Sequence, residues 1–340
     1  MNNVNGISVV ICTYNGIDRL EATLISVLKQ KVSDDIKWEL IIINNASTDS
    51  TSQFCSSFLL NHANFISWCV IDEMQPGLNF ARLCGLRRAS YNWVLFCDDD
   101  NHLFNNYLQN AWKIIQNNRS IGALGGFGIP IFEVEKPVWF DRYSHSFAVG
   151  PQAASNGKIF DNPSELYGAG TFFRKNPLMK IFTLGFNGIM TDRLGKKLTS
   201  GGDVEWCWLL QLLGYEIWFS DELKFYHVLP AVRLNWDYYL NLKEGIASGF
   251  GLMQAYYPFF YYKKPSLIDF YKEYIISFIR QFFLWLWFSF KVSINPSLYS
   301  FEKRTVGKKV INAKFFSLIN NYLYSKKKFL TIKKVLYHSI

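Results

Sequence analysis

Asp98, Asp99 and Asp100 stand in a row directly after the apolar run Trp93-Val94-Leu95-Phe96, and Asn101 follows them. Adjacent carboxylates repel one another, so a fold that gathers three at the end of a strand calls for a compensating cation. Mg²⁺ and Mn²⁺ take oxygen ligands and bridge one or two protein carboxylates to substrate phosphates. The run therefore points to a metal-diphosphate site. The competing reading is a solvated acidic turn closing a buried strand.

The elements that must position this run are legible around it. Four short apolar runs, Ser8 to Cys12, Trp38 to Ile43, Phe65 to Ile71 and Trp93 to Cys97, recur at roughly regular spacing and predict strands. Between them lie helical signals. Asp18 with Glu21 reads as a capping box before Leu20, Leu24, Val27 and Leu28, and Pro76-Gly77 precedes Leu78, Ala81, Leu86 and Ala89. Alternation at this spacing predicts βαβ units and an α/β fold built on a parallel sheet. Such sheets bind ligands beyond the carboxyl ends of their strands. Those ends carry Thr13-Tyr14-Asn15, Asn44-Asn45, Asp72-Glu73 and the aspartate run, so one rim collects the polar groups.

Composition narrows the class. With 340 residues, 49% of them hydrophobic, the chain can bury a large core as one large domain or two ordinary ones. Six cysteines without a CxxC pair suit buried thiols in a reducing compartment and indicate neither a disulfide framework nor a zinc site. The N-terminal stretch before Thr13 does not read as a signal peptide. The net charge of +9 is uneven: residues 260–340 hold 13 Lys and 2 Arg against 3 acids, a net of +12, which leaves −3 on residues 1–259. Basicity at one end argues against a nucleic-acid enzyme and for an anionic surface met by that end. No GxGxxG follows the first strand and no Walker lysine motif occurs, which makes a dinucleotide oxidoreductase a poor fit.

Six pieces together carry a resemblance: Val9-Val10-Ile11-Cys12-Thr13-Tyr14-Asn15; Ile43-Asn44-Asn45-Ala46-Ser47-Thr48-Asp49; Gly77 with Ala81-Arg82 and Gly85; Asp98-Asp99-Asp100; Gly168-Ala169-Gly170; and Gly201-Gly202-Asp203-Val204-Glu205-Trp206. In this order, over residues 7 to 235, the chain resembles the inverting family 2 glycosyltransferases with the GT-A fold. The resemblance implies a nucleotide-sugar donor, a glycan or lipid-linked acceptor, and Mn²⁺ or Mg²⁺ as cofactor.

It also implies roles. Thr13, Tyr14 and Asn15 lie where such enzymes hold nucleobase and ribose. Asn44 stands where the family often has an Asp that reads the base, and its oxygen still accepts an imide hydrogen bond, so a uridine donor is expected. Arg82 looks like the arginine beside the nucleotide. Asp98 and Asp100 form the DxD pair, with Asp100 the direct ligand and Asp99 directed at ribose or sugar. Asp203 is the candidate general base; Gly202 replaces the first member of the family's acidic pair, so Glu205 stays open as the substitute. Either acid would also cap a helix. His227 stands where a histidine reaches the diphosphate or metal, or else is a core residue. Trp206, Trp208, Trp218 and Trp236 fall in the acceptor half, as sugar-stacking or core residues.

From Ser266 the pattern changes. Asp269, Lys272, Glu273, Ser277, Arg280 and Gln281 form one polar stripe on a helix otherwise filled by Tyr274, Ile275, Ile276, Phe278, Ile279, Phe282 and Phe283, followed by Leu284-Trp285-Leu286-Trp287-Phe288. The apolar run reads as too short to cross a bilayer comfortably and suits a helix lying in the interface, its basic flanks meeting anionic lipid. The alternative is a helix docked on its own domain with a solvated basic tail. The organisation expected is thus a catalytic domain at 1–259, with a nucleotide-binding half (1–120) and an acceptor half (121–259), and a membrane-associating helical segment at 260–340. The setting expected is peripheral, on the cytoplasmic face of a bacterial membrane, in surface polysaccharide assembly. The rivals are a sugar-phosphate nucleotidyltransferase, which should show a Gly-rich phosphate loop that Thr13-Tyr14-Asn15-Gly16 lacks, and a noncatalytic glycan-binding or scaffold protein.

Overall fold

The computed structural model describes residues 4–190, 192, 198–294 and 300–339. In the first half, β1 (Ile7–Thr13), α1 (Leu20–Leu28), β2 (Trp38–Asn45), α2 (Thr51–His62), β3 (Ser67–Glu73), α3 (Leu78–Arg88) and β4 (Trp93–Asp98) alternate as the spacing predicts. Then follow β5 (Asn101–Leu103), α4 (Tyr107–Asn117), β6 (Ile121–Phe132), the short α5 (Phe140–Tyr143), β7 (Gly157–Lys158), β8 (Thr171–Arg174), α6 (Lys175–Thr183), α7 (Gly202–Leu212) and β9 (Glu216–Leu229). The chain ends in α8 (Trp236–Ser248), the short α9 (Phe250–Met253) and α10 (Tyr257–Tyr261), and two long helices, α11 (Leu267–Ile294) and α12 (Phe301–Ser339).

The sheet runs β3-β2-β1-β4-β8-β6-β9-β5, with β7 on β9. Pairing is parallel from β3 through β4, as βαβ crossovers require. Beyond β4 it is mixed: β8 is antiparallel to β4 and β6, whereas β6 and β9 pair in parallel. The central strands β1, β2 and β4 are buried on both faces, which is why they read as continuous apolar runs.

Two local expectations shift. The third strand begins at Ser67, two residues past the apolar Phe65, and runs on to Glu73. No side chain caps α1, so Asp18 forms no capping box; the preceding Arg19 instead reaches away from the helix to Asp99. A capping box does open α11, where Ser266 N–H donates to Asp269 Oδ2 at 2.7 Å and Asp269 N–H to Ser266 Oγ at 3.3 Å.

The C-terminal helices do not form a separate layer. Phe270 and Tyr274 of α11 and Leu318, Phe329, Ile332, Val335 and Leu336 of α12 are buried in the same cluster as Val10, Phe96 and Trp206 of the sheet and α7. The hydrophobic core thus crosses the 259/260 boundary. α11 nevertheless leaves Ile275, Phe283, Leu284, Trp287 and Phe290 exposed. The docked alternative therefore describes α12 and the first turns of α11, and the wide aromatic face describes the remainder.

Candidate active site

Parallel pairing brings the ends of β1, β2 and β4 into line: Thr13 sits opposite Asn44, and Cys12 opposite Asp98. The turns after β1 and β2 are stapled together. Asn15, at φ 47°, donates its N–H to Ser47 Oγ at 2.9 Å and accepts from Thr48 N–H at 2.8 Å. This leaves the Tyr14 ring 55% exposed over the rim, free to lie against a ligand. Asn44 donates from Nδ2 to Asp72 Oδ1 at 2.7 Å, while its Oδ1 is buried without a partner. A buried unpaired acceptor is costly unless a ligand completes it.

The three aspartates have three different environments. Asp99 faces inward: Arg19 donates from Nε to Oδ1 at 2.9 Å and from Nη2 to Oδ2 at 2.7 Å, and the Thr13 hydroxyl donates to Oδ2 at 2.6 Å. Burial pushes the Asp99 carboxyl up, against the opposing pull of these donors. Asp100 is gripped by Arg233, whose Nη1 lies 2.9 Å from Oδ2, and His227 Nε2 lies 3.4 Å from Oδ1. The Asp98 carboxylate is half-buried and makes no hydrogen bond or ion pair among the described residues. Two arginines therefore answer two of the three charges and leave one open.

His227 Nε2 also faces Arg233 Nη1 at 3.3 Å. That ring nitrogen thus sits between the guanidinium and the Asp100 carboxylate, and Nδ1 is buried without a partner. Among the described residues no three His, Cys, Asp or Glu side chains form a ready-made metal cage. A divalent ion bound mainly through substrate phosphates needs only one or two carboxylates. Asp98 and Asp100, with the imidazole alongside, are a hard donor set that fits this requirement.

Asp203 lies in the first turn of α7, after Gly201 at φ 137°. Its Oδ2 accepts the Gly168 N–H at 2.6 Å, and its Oδ1 the Val204 N–H at 2.9 Å. Gly168 is required there because a Cβ would sit 2.5 Å from Arg82 Nη2 and 3.1 Å from Asp203 Cβ. Arg82 is buried and pairs with Asp192 at 3.2 Å. Burial opposes its charge, yet Asp192, then Asp203 and Asp98, outweigh that and hold the guanidinium above its ordinary range. Asp192 Oδ1 accepts the Gly202 N–H at 2.7 Å and so fixes the start of α7. Through Asp192, Arg82 of α3 is thereby tied to the start of the helix that carries Asp203.

Glu205 points the other way. It is 1% exposed, accepts Ile189 N–H at 2.8 and 2.9 Å and Met190 N–H at 3.1 Å, and takes the Tyr256 hydroxyl at 2.5 Å. Burial, opposed by these donors, pushes its carboxyl up to about 7. Its oxygens hold the 189–190 backbone against the C-terminal helices. The tryptophans divide too: Trp206 and Trp208 are core, Trp218 donates to Glu216 at 2.9 Å, and Trp236 packs with Trp139, Tyr143 and Tyr239.

Sequence reasoning missed Arg19, Arg233 and Asp192. Arg233 follows β9 at a distance set only by the turn, and Asp192 lies between residues with no periodic pattern. Arg19 carried a weak signal, a cation one turn beyond the polar end of β1.

Residues 8–182 match glycosyl transferase family 2. The chain belongs to that family. The curated relative GgaA, the minor teichoic acid biosynthesis protein of Bacillus subtilis, is 26% identical over 173 residues, 50% of this chain and 37% of the relative's length. The chain thus spans little more than a third of that relative. Among solved structures, the mannosyltransferase PcManGT from Pyrobaculum calidifontis in complex with GDP-Man and Mn²⁺ superposes with TM-score 0.55 at 16% identity, covering 95% of this chain and 90% of that one. TarS residues 1–349 from S. aureus in complex with UDP-GlcNAc superposes with TM-score 0.50 at 17% identity, covering 97% and 90%. These likenesses show the fold, a GT-A-like mixed sheet flanked by helices with a C-terminal helical segment.

Proposed function

We propose that this chain is an inverting glycosyltransferase that moves a sugar from a UDP-sugar to a glycan or lipid-linked hydroxyl in bacterial surface polysaccharide assembly. The observation that carries this reading is an open carboxylate at the end of β4, Asp98, together with a carboxylate at the start of α7, Asp203, that the Gly168 N–H orients beside the buried Arg82. The first suits a diphosphate and the second suits a hydroxyl proton.

Asp203 takes the proton as the acceptor oxygen attacks the anomeric carbon. The bond from that carbon to the phosphate oxygen breaks, and its electron pair leaves with the nucleoside diphosphate. Such base catalysis contributes on the order of 10² to 10⁴ in rate. Gly168 keeps one Asp203 oxygen aligned, and Glu205 acts as a positioning residue rather than the base. Asn44 Oδ1 accepts the uracil imide N–H, with Tyr14 and Asn15 beside base and ribose, while Thr13 and Arg19 hold Asp99 in place near the ribose. Mn²⁺ or Mg²⁺ would be held by Asp98 and Asp100, with His227 adjoining, and would supply positive charge against the departing diphosphate. Arg233 adds a fixed cation at the same end. In support, one neighbour of this fold was solved with a UDP-sugar and another with Mn²⁺.

The proposed setting is the cytoplasmic face of the membrane. By length and composition α11 is able to cross a bilayer, which the sequence expectation of too short a run did not anticipate. Its first turns lie in the protein core and α12 runs along it, which favours an interfacial position for the exposed aromatic face.

The test is Asp203→Asn, which keeps size and removes basicity. Transfer should fall by roughly two to four orders of magnitude while UDP affinity holds. If Glu205→Gln is instead the inactive variant and Asp203→Asn turns over normally, the assignment of the base is wrong.

A further inference from the structure

Asn44 and Asn45 end β2 side by side, and the structure uses their amides in opposite ways. Asn45 is engaged at both ends by backbone: its Nδ2 donates to Glu73 O at 3.2 Å and to Gln75 O at 2.7 Å, and its Oδ1 accepts the Gly77 N–H at 2.8 Å. That amide shapes the turn between β3 and α3. Asn44 is engaged at one end only, its Nδ2 donating to Asp72 Oδ1 at 2.7 Å while its Oδ1 is buried without a partner. Asn44 is 7% exposed, whereas Asp72 lies at the surface. The bond between them is not needed to pair the strands, because β2 and β3 are already in register along their length, with Asn44 directly opposite Asp72.

What the bond does set is direction. A primary amide keeps its shape when turned by half a rotation, but its oxygen and its NH₂ change places. A carboxylate offers acceptors only, so Asp72 takes the NH₂ side and turns the Asn44 oxygen away from itself. The group presented to a ligand is therefore an acceptor. Uracil and thymine carry a hydrogen on N3 and donate there, whereas cytosine carries a lone pair at N3 and accepts. An outward Oδ1 bonds the first two bases and repels the third; an outward Nδ2 would do the reverse.

We propose that Asp72 determines the base specificity of the donor site: its carboxylate fixes the Asn44 amide with the oxygen outward, and so selects an imide base, uracil or thymine, over cytosine. This rests on the UDP-sugar reading, whose base contact Asn44 makes. Asp72 acts through Asn44 and is a positioning residue. The proposal adds to that reading the cause of its selectivity, which lies not in Asn44 itself, able to face either way, but in the acceptor-only neighbour on β3.

The experiment measures UDP and CDP binding to the full-length protein by calorimetry, with Mn²⁺ present and near neutral pH. Sugar transfer is not read, so an error in assigning the base to Asp203 leaves the result untouched. The parent should bind UDP at least about tenfold tighter than CDP, since CDP sets two acceptors face to face where UDP makes a hydrogen bond. In Asp72→Asn the neighbour donates as well as accepts, and both Asn44 orientations become available. UDP should then weaken only about twofold while CDP tightens, bringing the two affinities to within about threefold of each other. Exchanging the pair, Asn44→Asp with Asp72→Asn, again presents an acceptor held by a donor and should restore the parent's preference. Asp72→Lys offers donors alone, turns the amide round and should favour CDP. A parent that binds UDP no tighter than CDP overturns the inference and leaves glycosyl transfer standing. So does a UDP-to-CDP ratio unchanged in Asp72→Asn, including an equal loss of both affinities, which makes the bond a strand contact and nothing more. An exchanged pair that melts cooperatively yet discriminates no better than Asp72→Asn also overturns it. If the exchanged pair does not melt cooperatively, Asp72→Lys decides, and a preference for UDP kept at the parent's level is the refuting result. A parent that binds neither nucleotide removes the UDP-sugar reading together with the inference.

Discussion

Glu205→Gln separates a buried clamp from a base. Glu205 is 1% exposed and burial raises its carboxyl from the ordinary 4.5 to about 7. Each pH unit of displacement corresponds to about 1.4 kcal/mol, so ionised Glu205 costs the fold about 3 kcal/mol relative to its neutral form. The sign follows from the raised value. The favourable contribution is complete below about pH 4.5, declines as pH rises toward 7, and is lost above. The groups facing it are the Ile189 and Met190 N–H, the Tyr256 hydroxyl and, at longer range, Lys328 of α12, which itself donates to Gly188 O at 2.6 Å. Gln is neutral throughout, so the variant loses acceptor capacity by a fixed amount but removes the pH-dependent decline. Urea denaturation of both proteins from pH 4.5 to 8 should show the variant's deficit shrinking by about 3 kcal/mol across that interval. Asp192 and Glu165, also raised by burial, are common to both proteins and cancel in the difference. A deficit independent of pH would refute the assignment of Glu205 as a buried acid that ionises near neutrality.

Excess chelator should abolish transfer, and Asp98→Ala and Asp100→Ala should do the same with added Mn²⁺; full activity in chelator sinks the metal role. Gly168→Ala places a methyl against Arg82 Nη2 and Asp203 Cβ, so kcat should fall by at least tenfold with UDP affinity preserved, and unchanged kcat would show that this approach does not orient the base. A chain ending at Tyr262 removes Phe270, Leu318, Phe329 and Ile332 from the shared core, so circular dichroism and thermal melting should show a destabilised or aggregated product; a cooperative melt near that of the full chain would show the helices to be an independent unit.

The sequence announced what depends on local pattern. Strand-helix alternation, the polar rim and the aspartate run all follow from residues close together in the chain, and the structure reproduces them. What it concealed depends on long-range pairing. The antiparallel insertion of β8 between β4 and β6 comes from the short segment Thr171-Phe172-Phe173-Arg174, too brief to declare its direction. Asp192 meets Arg82 across 110 residues, and Arg233 meets Asp100 across 133, with no periodicity marking either. α12 was hidden for a different reason. Its lysines are spread around its length, so it reads as a solvated tail although Phe329, Ile332 and Val335 are fully buried.

The same pairings explain how an acidic rim remains functional without collapsing on itself. Asp99 and Asp100 each face an arginine drawn from a different part of the chain, Arg19 before α1 and Arg233 after β9. Each pair is partly buried, where an uncompensated carboxylate would be costly and a paired one rigidifies the turn. With two carboxylates fixed in place, the third, Asp98, stays unpaired among the described residues at the end of β4. Arg82, buried on α3, draws its stabilisation from Asp192 first, and only then from Asp203 and Asp98. Replacing Asp192 with Asn should therefore pull Arg82 toward Asp203, engaging the proposed base in an ion pair and lowering the pH-rate profile's acidic limb as well as kcat. A variant with reduced kcat but an unmoved profile would make Asp192 a cap for α7 and nothing more.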